Sequence, residues 1–275
     1  MTPVDLAVNG VAPLGPGELT ITILGCGTSS GVPMANGDWG TCDRTDPRNR
    51  RRRPSLMVEA RDKRLVIDTG PDFREQMLTA QVDWVDAILY THDHADHTHG
   101  IDDLRSFSWK HDGLLPTYAG TAARDSLISR FQYFTGNGDG AAEKGPKPHI
   151  KIHSLAAYKP TGVCGIPILP IDQDHGVCRS LGFRLGRFAY STDVVRLDER
   201  ALAHLGELDT WIVDCLRDKP HPTHAHLDQV LAWVERLRPR RTYLTHLGTL
   251  MDYRSLAARL PAGVAPSHDG QTIYV

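Results

Sequence analysis

The sequence predicts an α/β protein of layered sheets with helices packed outside them. Three observations carry this. Nine short apolar segments recur, each bounded by Gly, Pro or Asp. Helical periodicities lie between several of them. The 275 residues are enough to bury a large core without disulfide staples.

The elements follow in order. Residues 1–18 have neither a basic start nor a continuous apolar stretch, so they read as a flexible tail rather than a signal peptide or anchor. Residues 19–275 then form one domain. Strands are expected at 19–24 (L-T-I-T-I-L), 55–60, 64–68 and 87–91 (A-I-L-Y-T), then at 166–171 (I-P-I-L-P-I), 183–185, 187–191, 211–214 (W-I-V-D) and 241–245. A helix over 73–82 follows Pro71, which suits a first turn. A second over 121–134 puts Leu127, Ile128, Phe131 and Phe134 on one face. Helices over 198–208 and 227–237 repeat apolar residues at spacings of three and four. Residues 135–150 are dominated by Gly and Pro and lack periodicity, so they read as a long loop of the kind that forms lids.

A net charge of -2 argues against a general nucleic-acid or membrane surface. The run Arg50-Arg51-Arg52-Arg53, with Arg48 before it, fits a solvated loop or a phosphate-facing one equally. Five scattered cysteines with no C-x-x-C pair fit reduced thiols and a cytoplasmic location. No apolar run approaches the roughly 20 residues that span a bilayer.

Residues 91–100, T-H-D-H-A-D-H-T-H-G, hold the densest chemistry. His92 and His94 follow a strand two apart, so their side chains share a face. Asp96 and His97 can turn back to the same point. Imidazole and carboxylate together suit Zn²⁺, Mn²⁺ or Fe²⁺. Four distant residues stand in the same context, each closing an apolar strand-like run: Asp68, His175, Asp193 and His246. A sheet presents such residues along one rim.

In this order the motifs resemble the metallo-β-lactamase superfamily, over about residues 19–275. The resemblance implies a four-layer αββα sandwich with a dinuclear metal site at one edge of the sheets. It implies that His92, His94 and His175 hold one metal, that Asp96, His97 and His246 hold the other, and that Asp193 bridges them. Asp68 would orient a ligating imidazole from behind. Two divalent ions, Zn or Mn with Fe also allowed, would hold a hydroxide between them for hydrolysis.

Lactamase, lactonase, thioesterase and nuclease chemistries share such a site. Three features favour phosphodiester cleavage. The Gly-rich L-G-C-G-T-S-S-G-V-P at 24–33 can aim backbone N–H groups at an anion, with Ser29 and Ser30 as substrate contacts, or can be a plain tight turn. Asp193 stands where true lactamases carry Cys. In H-P-T-H-A-H-L-D-Q-V at 221–230, His226 precedes a helix where the resembled phosphodiesterases place a general acid; His221 and His224 read as exposed loop polarity. His226 and Asp96 are then the catalytic pair. Arg105 is a substrate-phosphate candidate, with an ordinary salt bridge as its alternative.

The branch resembled most is that of the phosphoribosyl cyclic phosphate phosphodiesterases. Those enzymes carry a further structural zinc on three cysteines and a histidine. Here only Cys42 remains, Gly37 and Trp39 fall near the other cysteine places, and Thr249 falls at that of the histidine, so no structural zinc is expected. The resulting expectation is a metal-dependent hydrolase acting on a small cyclic or nucleotide-like phosphodiester, with no membrane partner and no RNA-docking arm, and with a homodimer allowed. A thioester or lactone hydrolase and a non-catalytic metal-binding module are the alternatives.

Overall fold

The computed structural model describes residues 11–111, 114–136 and 149–275. Among these the chain forms two seven-stranded sheets. The first takes β1 (Thr20–Gly25), β2 (Ser55–Ala60), β3 (Lys63–Ile67), β4 (Ala87–Tyr90), β5 (Leu115–Gly120) and β6 (Ile150–Leu155). The second takes β7 (Thr161–Val163), β8 (Ile166–Asp174), β9 (Arg179–Leu185), β10 (Phe188–Ser191), β11 (Thr210–Asp214), β12 (Arg241–Thr245) and β13 (Val264–Pro266). The last strand, β14 (Thr272–Tyr274), returns to the first sheet beside β1.

Side-chain alternation divides the apolar residues into three layers. Leu56, Val58 and Ala60 of β2 pack with Phe183, Leu185 and Tyr190 between the sheets. The opposite faces, through Met57, Val66 and Ile88, meet helices α1 (Phe73–Thr79) and α4 (Thr121–Arg130). On the far side Leu169, Trp211 and Val213 meet α6 (Glu199–His204), α7 (Leu227–Leu237) and α8 (Tyr253–Ala257). Short helices α2 (Ala95–Thr98), α3 (Arg105–Ser108) and α5 (Gln132–Thr135) complete the described set. The architecture is αββα, as expected. No described helix is long and apolar enough to cross a membrane.

The sequence reading missed β5, β6, β7, β13 and β14. β5 carries an internal proline, β6 alternates buried and half-exposed or exposed positions, and the other three have only three residues each. The helix expected over 121–134 breaks at Phe131 (φ −122°, ψ 39°). The segment 198–208 is helical only to His204, with the Asp198 carboxylate capping the amide of Ala201 at 2.8 Å. Most of the loop at 135–150 lies outside the described residues, as do residues 1–10 of the expected tail. Residues 11–18 are not loose. Arg61 donates to the carbonyls of Ala12 and Pro13, the Gly17 amide to the Val275 carbonyl at 2.8 Å, and Leu14 packs on the inter-sheet core.

The arginine run is not one surface. Arg51 is buried, 2% exposed, and its guanidinium donates to the carbonyls of Met251 (2.7 Å) and Gly248 (3.4 Å) and to Asn49 Oδ1 (3.1 Å). Beside it the Cys42 thiol donates to the Thr249 carbonyl at 3.3 Å. Arg51 thereby ties the long β1–β2 loop to the turn after β12. Arg53 pairs with Asp72 at 3.0 Å, and Arg50 lies over the Trp39 ring. Arg51→Met leaves these carbonyls unpaired in the core. It is expected to cost about 3 kcal/mol, measured by urea unfolding of the metal-free protein.

Candidate metal centre

Parallel pairing fixes where the polar residues gather. β3 and β4 run parallel, as do β10, β11 and β12, so their C-terminal ends share one edge of the sandwich. Asp68, His92, Asp193 and His246 follow those ends within two residues, Asp214 closes β11, and His175 follows the antiparallel β8. Asp68, Asp193 and His246 hold positive φ (65°, 52° and 58°). Non-glycine residues take this conformation only where the surroundings impose it, and such residues cluster at functional sites.

Asp193 sits at the centre, 1% exposed. Its Oδ2 faces His175 Nε2 at 3.5 Å and His92 Nε2 at 3.6 Å. Its Oδ1 faces His97 Nε2 at 3.1 Å and His246 Nε2 at 3.4 Å. His94 Nδ1 approaches His175 Nε2 at 3.3 Å, and Asp96 Oδ2 lies 3.3 Å from His97 Nε2 and 3.6 Å from that of His246. Two ligand sets share Asp193: His92, His94, His175 and Asp193 in one; Asp96, His97, His246 and Asp193 in the other; a third group, Asp214, His224 and His246, adjoins the second.

The donor atoms fit cations. The Nε2 atoms of His92, His97 and His246 are buried without a hydrogen-bond partner, although buried polar atoms are normally paired. The opposite ring nitrogens of three imidazoles are held. His92 Nδ1 meets Thr91 Oγ1 at 2.9 Å, His97 Nδ1 meets Asp68 Oδ2 at 2.7 Å, and His175 Nδ1 meets the Thr223 carbonyl at 2.7 Å. Such outer contacts fix ring orientation and leave the inward nitrogen free. Burial alone would push the Asp193 carboxyl up, but the imidazoles of His246 and His97 hold it well below the usual carboxylate range. Burial pushes His92 well below the ordinary imidazole value, toward the neutral ligand form.

The loop carrying Asp96 packs directly on Gly70. A Cβ at residue 70 would collide with the Asp96 carbonyl oxygen. Gly70→Ala is therefore expected to displace Asp96 and lower bound metal per chain, read by elemental analysis after dialysis.

His226, expected as the proton donor, is not brought to the cluster. His226 is the residue before α7, half-buried, with backbone pairing to Arg217 and no described side-chain contact to the cluster. His224 stands there instead. Its ring stacks on His246 (centroids 4.5 Å apart), its Nε2 lies 4.0 Å from Asp193 Oδ2, and its Nδ1 pairs with Asp214 Oδ2 at 2.8 Å. Burial pulls the imidazolium down, but the Asp214 carboxylate outweighs this and holds it up to about 9. Sequence reasoning missed both residues, although Asp214 closes an apolar strand just as the other site residues follow theirs.

Arg105 is not part of the cluster. It pairs with Asp102 at 3.3 Å and lies over Phe134, on the helical side of the first sheet. Ser29 and Ser30 lie in a loop whose Thr28 amide donates to the Leu247 carbonyl, next to His246. The Cys178 thiol stands 3.9 Å from His94 Nε2.

Comparison with known proteins agrees with this fold. The family profile of the Beta-lactamase superfamily domain matches residues 63–247. A diphosphatase from the PhnP family is similar in structure, with TM-score 0.83, 35% identity, and 93% of this chain and 96% of that one covered. An octanoyltransferase of Porphyromonas gingivalis is 32% identical over 230 residues, 82% of this chain but 45% of that protein. A ribonuclease Z of Bradyrhizobium diazoefficiens is 38% identical over 82 residues, 29% of this chain and 23% of that protein. The chain thus spans less than half the length of these two curated relatives.

Proposed function

Since the chain belongs to the metallo-β-lactamase superfamily, in the branch of the PhnP-family diphosphatase, we propose that it is a two-metal phosphodiesterase acting on a small cyclic or nucleotide-like phosphodiester. In this reading His92, His94 and His175 would hold one ion, Asp96, His97 and His246 the other, and Asp193 would serve both. Ions bound there would supply Lewis acidity and lower the pKa of a bound water. Zn²⁺ and Mn²⁺ suit the all-nitrogen-and-oxygen ligand set, as does Fe²⁺.

The observation that carries the phosphodiester reading is the Asp214–His224 pair beside the cluster. A sugar alkoxide is a poor leaving group and gains from a proton delivered as its bond breaks. A thiolate leaves without one. Asp214 holds the His224 ring so that Nδ1 is bonded and Nε2 faces the reaction space, and its carboxylate favours the protonated ring. The PhnP-family diphosphatase, matched over 96% of its chain, supports phosphoryl chemistry; the octanoyltransferase and the ribonuclease Z are covered to only 45% and 23% and decide nothing between acyl and phosphoryl substrates.

The test is a substrate screen with Zn²⁺ and Mn²⁺ supplied separately, across cyclic phosphates, linear diesters, diphosphates, thioesters and lactones. Turnover of phosphoryl substrates alone is expected. Preference for a thioester or lactone would overturn the reading.

A further inference from the structure

Asp193 holds a left-handed backbone (φ 52°), which a short polar side chain tolerates better than most and which neighbouring contacts fix in place. These contacts lie beneath it in the second sheet. Ser180 Oγ donates to the Asp193 carbonyl at 2.8 Å. Directly across the β8–β9 pairing, Gln173 Nε2 donates to Ser180 Oγ at 3.1 Å and to the Thr192 carbonyl at 3.0 Å. Gln173 is fully buried, and its amide fills the space that a Cβ on Gly182 would occupy. The next residue along β9 reaches the other sheet: the Leu181 amide donates to the Thr91 carbonyl at 2.8 Å. Thr91 in turn bonds both oxygens of Asp68 and the Nδ1 of His92.

We propose that Ser180, anchored by Gln173, is a positioning residue for the metal centre. Together with the Leu181 amide it sets the separation between the histidine loop of the first sheet and the bridging carboxylate of the second. The proposal rests on the reading of Asp193 as a shared ligand. Gln173 gives a way to separate this role from simple core packing. Its Oε1 is buried without a partner, which costs stability rather than adding it. Evolution toward stability alone favours an apolar residue here; a polar one that donates toward the ligand-bearing turn fits a positioning task.

The experiment measures Zn²⁺ affinity by chelator competition, and metal-free thermal unfolding, for the parent, Ser180→Ala, Ser180→Thr and Gln173→Met. Ser180→Ala and Gln173→Met are expected to bind about 10–100-fold more weakly, the usual effect of losing an outer-shell partner. Ser180→Thr keeps the hydroxyl and is expected to stay within threefold of the parent. Gln173→Met, matched in volume, removes the unpaired Oε1 but unpairs the Thr192 carbonyl, so metal-free unfolding is expected to change little. Parent-like affinity in both Ser180→Ala and Gln173→Met overturns the proposal, as does weakening that only tracks a lower unfolding temperature. A parent that binds no Zn²⁺ sinks this proposal and the metal-centre reading together; a parent that binds while the variants match it sinks this proposal alone.

Discussion

Replacing His224 with alanine is expected to lower turnover of alkyl phosphodiesters by about 10²–10⁴-fold, the usual contribution of a general acid. Bis-p-nitrophenyl phosphate should lose far less, because nitrophenolate departs without a proton. His226→Ala should resemble the parent on both, since its ring makes no described contact with the cluster. Equal losses on the two substrates would remove His224 from the donor role. The sign of the pH dependence follows. The donor works when protonated, so turnover of the poor-leaving-group ester falls as pH rises through the His224 value, about 9 without ions and lower with two cations across Asp193. The same elevation stabilises the metal-free fold. That contribution is complete below the free-imidazole value of about 6.5 and is lost as pH climbs through about 9. Asp214→Asn should move the alkaline limb to lower pH and remove this stabilisation, seen in rate profiles and in unfolding at pH 6 and pH 10.

Asp193→Ala is the second large effect. One carboxylate supplies both ligand sets, so its loss leaves His92, His94 and His175 on one side and Asp96, His97 and His246 on the other with nothing between. Bound metal is expected to fall from about two per chain, the dinuclear count, to one or fewer. Activity should fall by roughly 10³-fold or more, reflecting several kcal/mol of lost charge stabilisation. Elemental analysis beside initial rates tests this. Two retained metals with full activity would show that the bridge is dispensable.

Much of this centre was legible in the chain because ligands followed apolar strands in a repeated context. The period-2 spacing of His92 and His94 and the Asp or His beyond each strand are local signals. Edge strands such as β14 were not legible, since three residues carry too little pattern. His224 was misjudged for a different reason. Among three histidines before a helix, the pairing of residues 216–217 with residues 225–227 decides which ring meets Asp214, and those contacts join segments that local sequence does not relate. Arg105 failed similarly: a helix beside the ligands can face away from them. The buried role of Arg51 was hidden inside a run whose members look identical.

The division of the ligands between the two sheets has a temporal consequence. During synthesis the first sheet can emerge with four ligands, His92, His94, Asp96 and His97, yet neither ion has its full set there. His175 and Asp193 complete one set, and the other waits for His246, which follows β12. A chain that has reached β10 but not β12 therefore carries every residue of one candidate set and an incomplete second. The second closes only once β12 has joined its parallel neighbours.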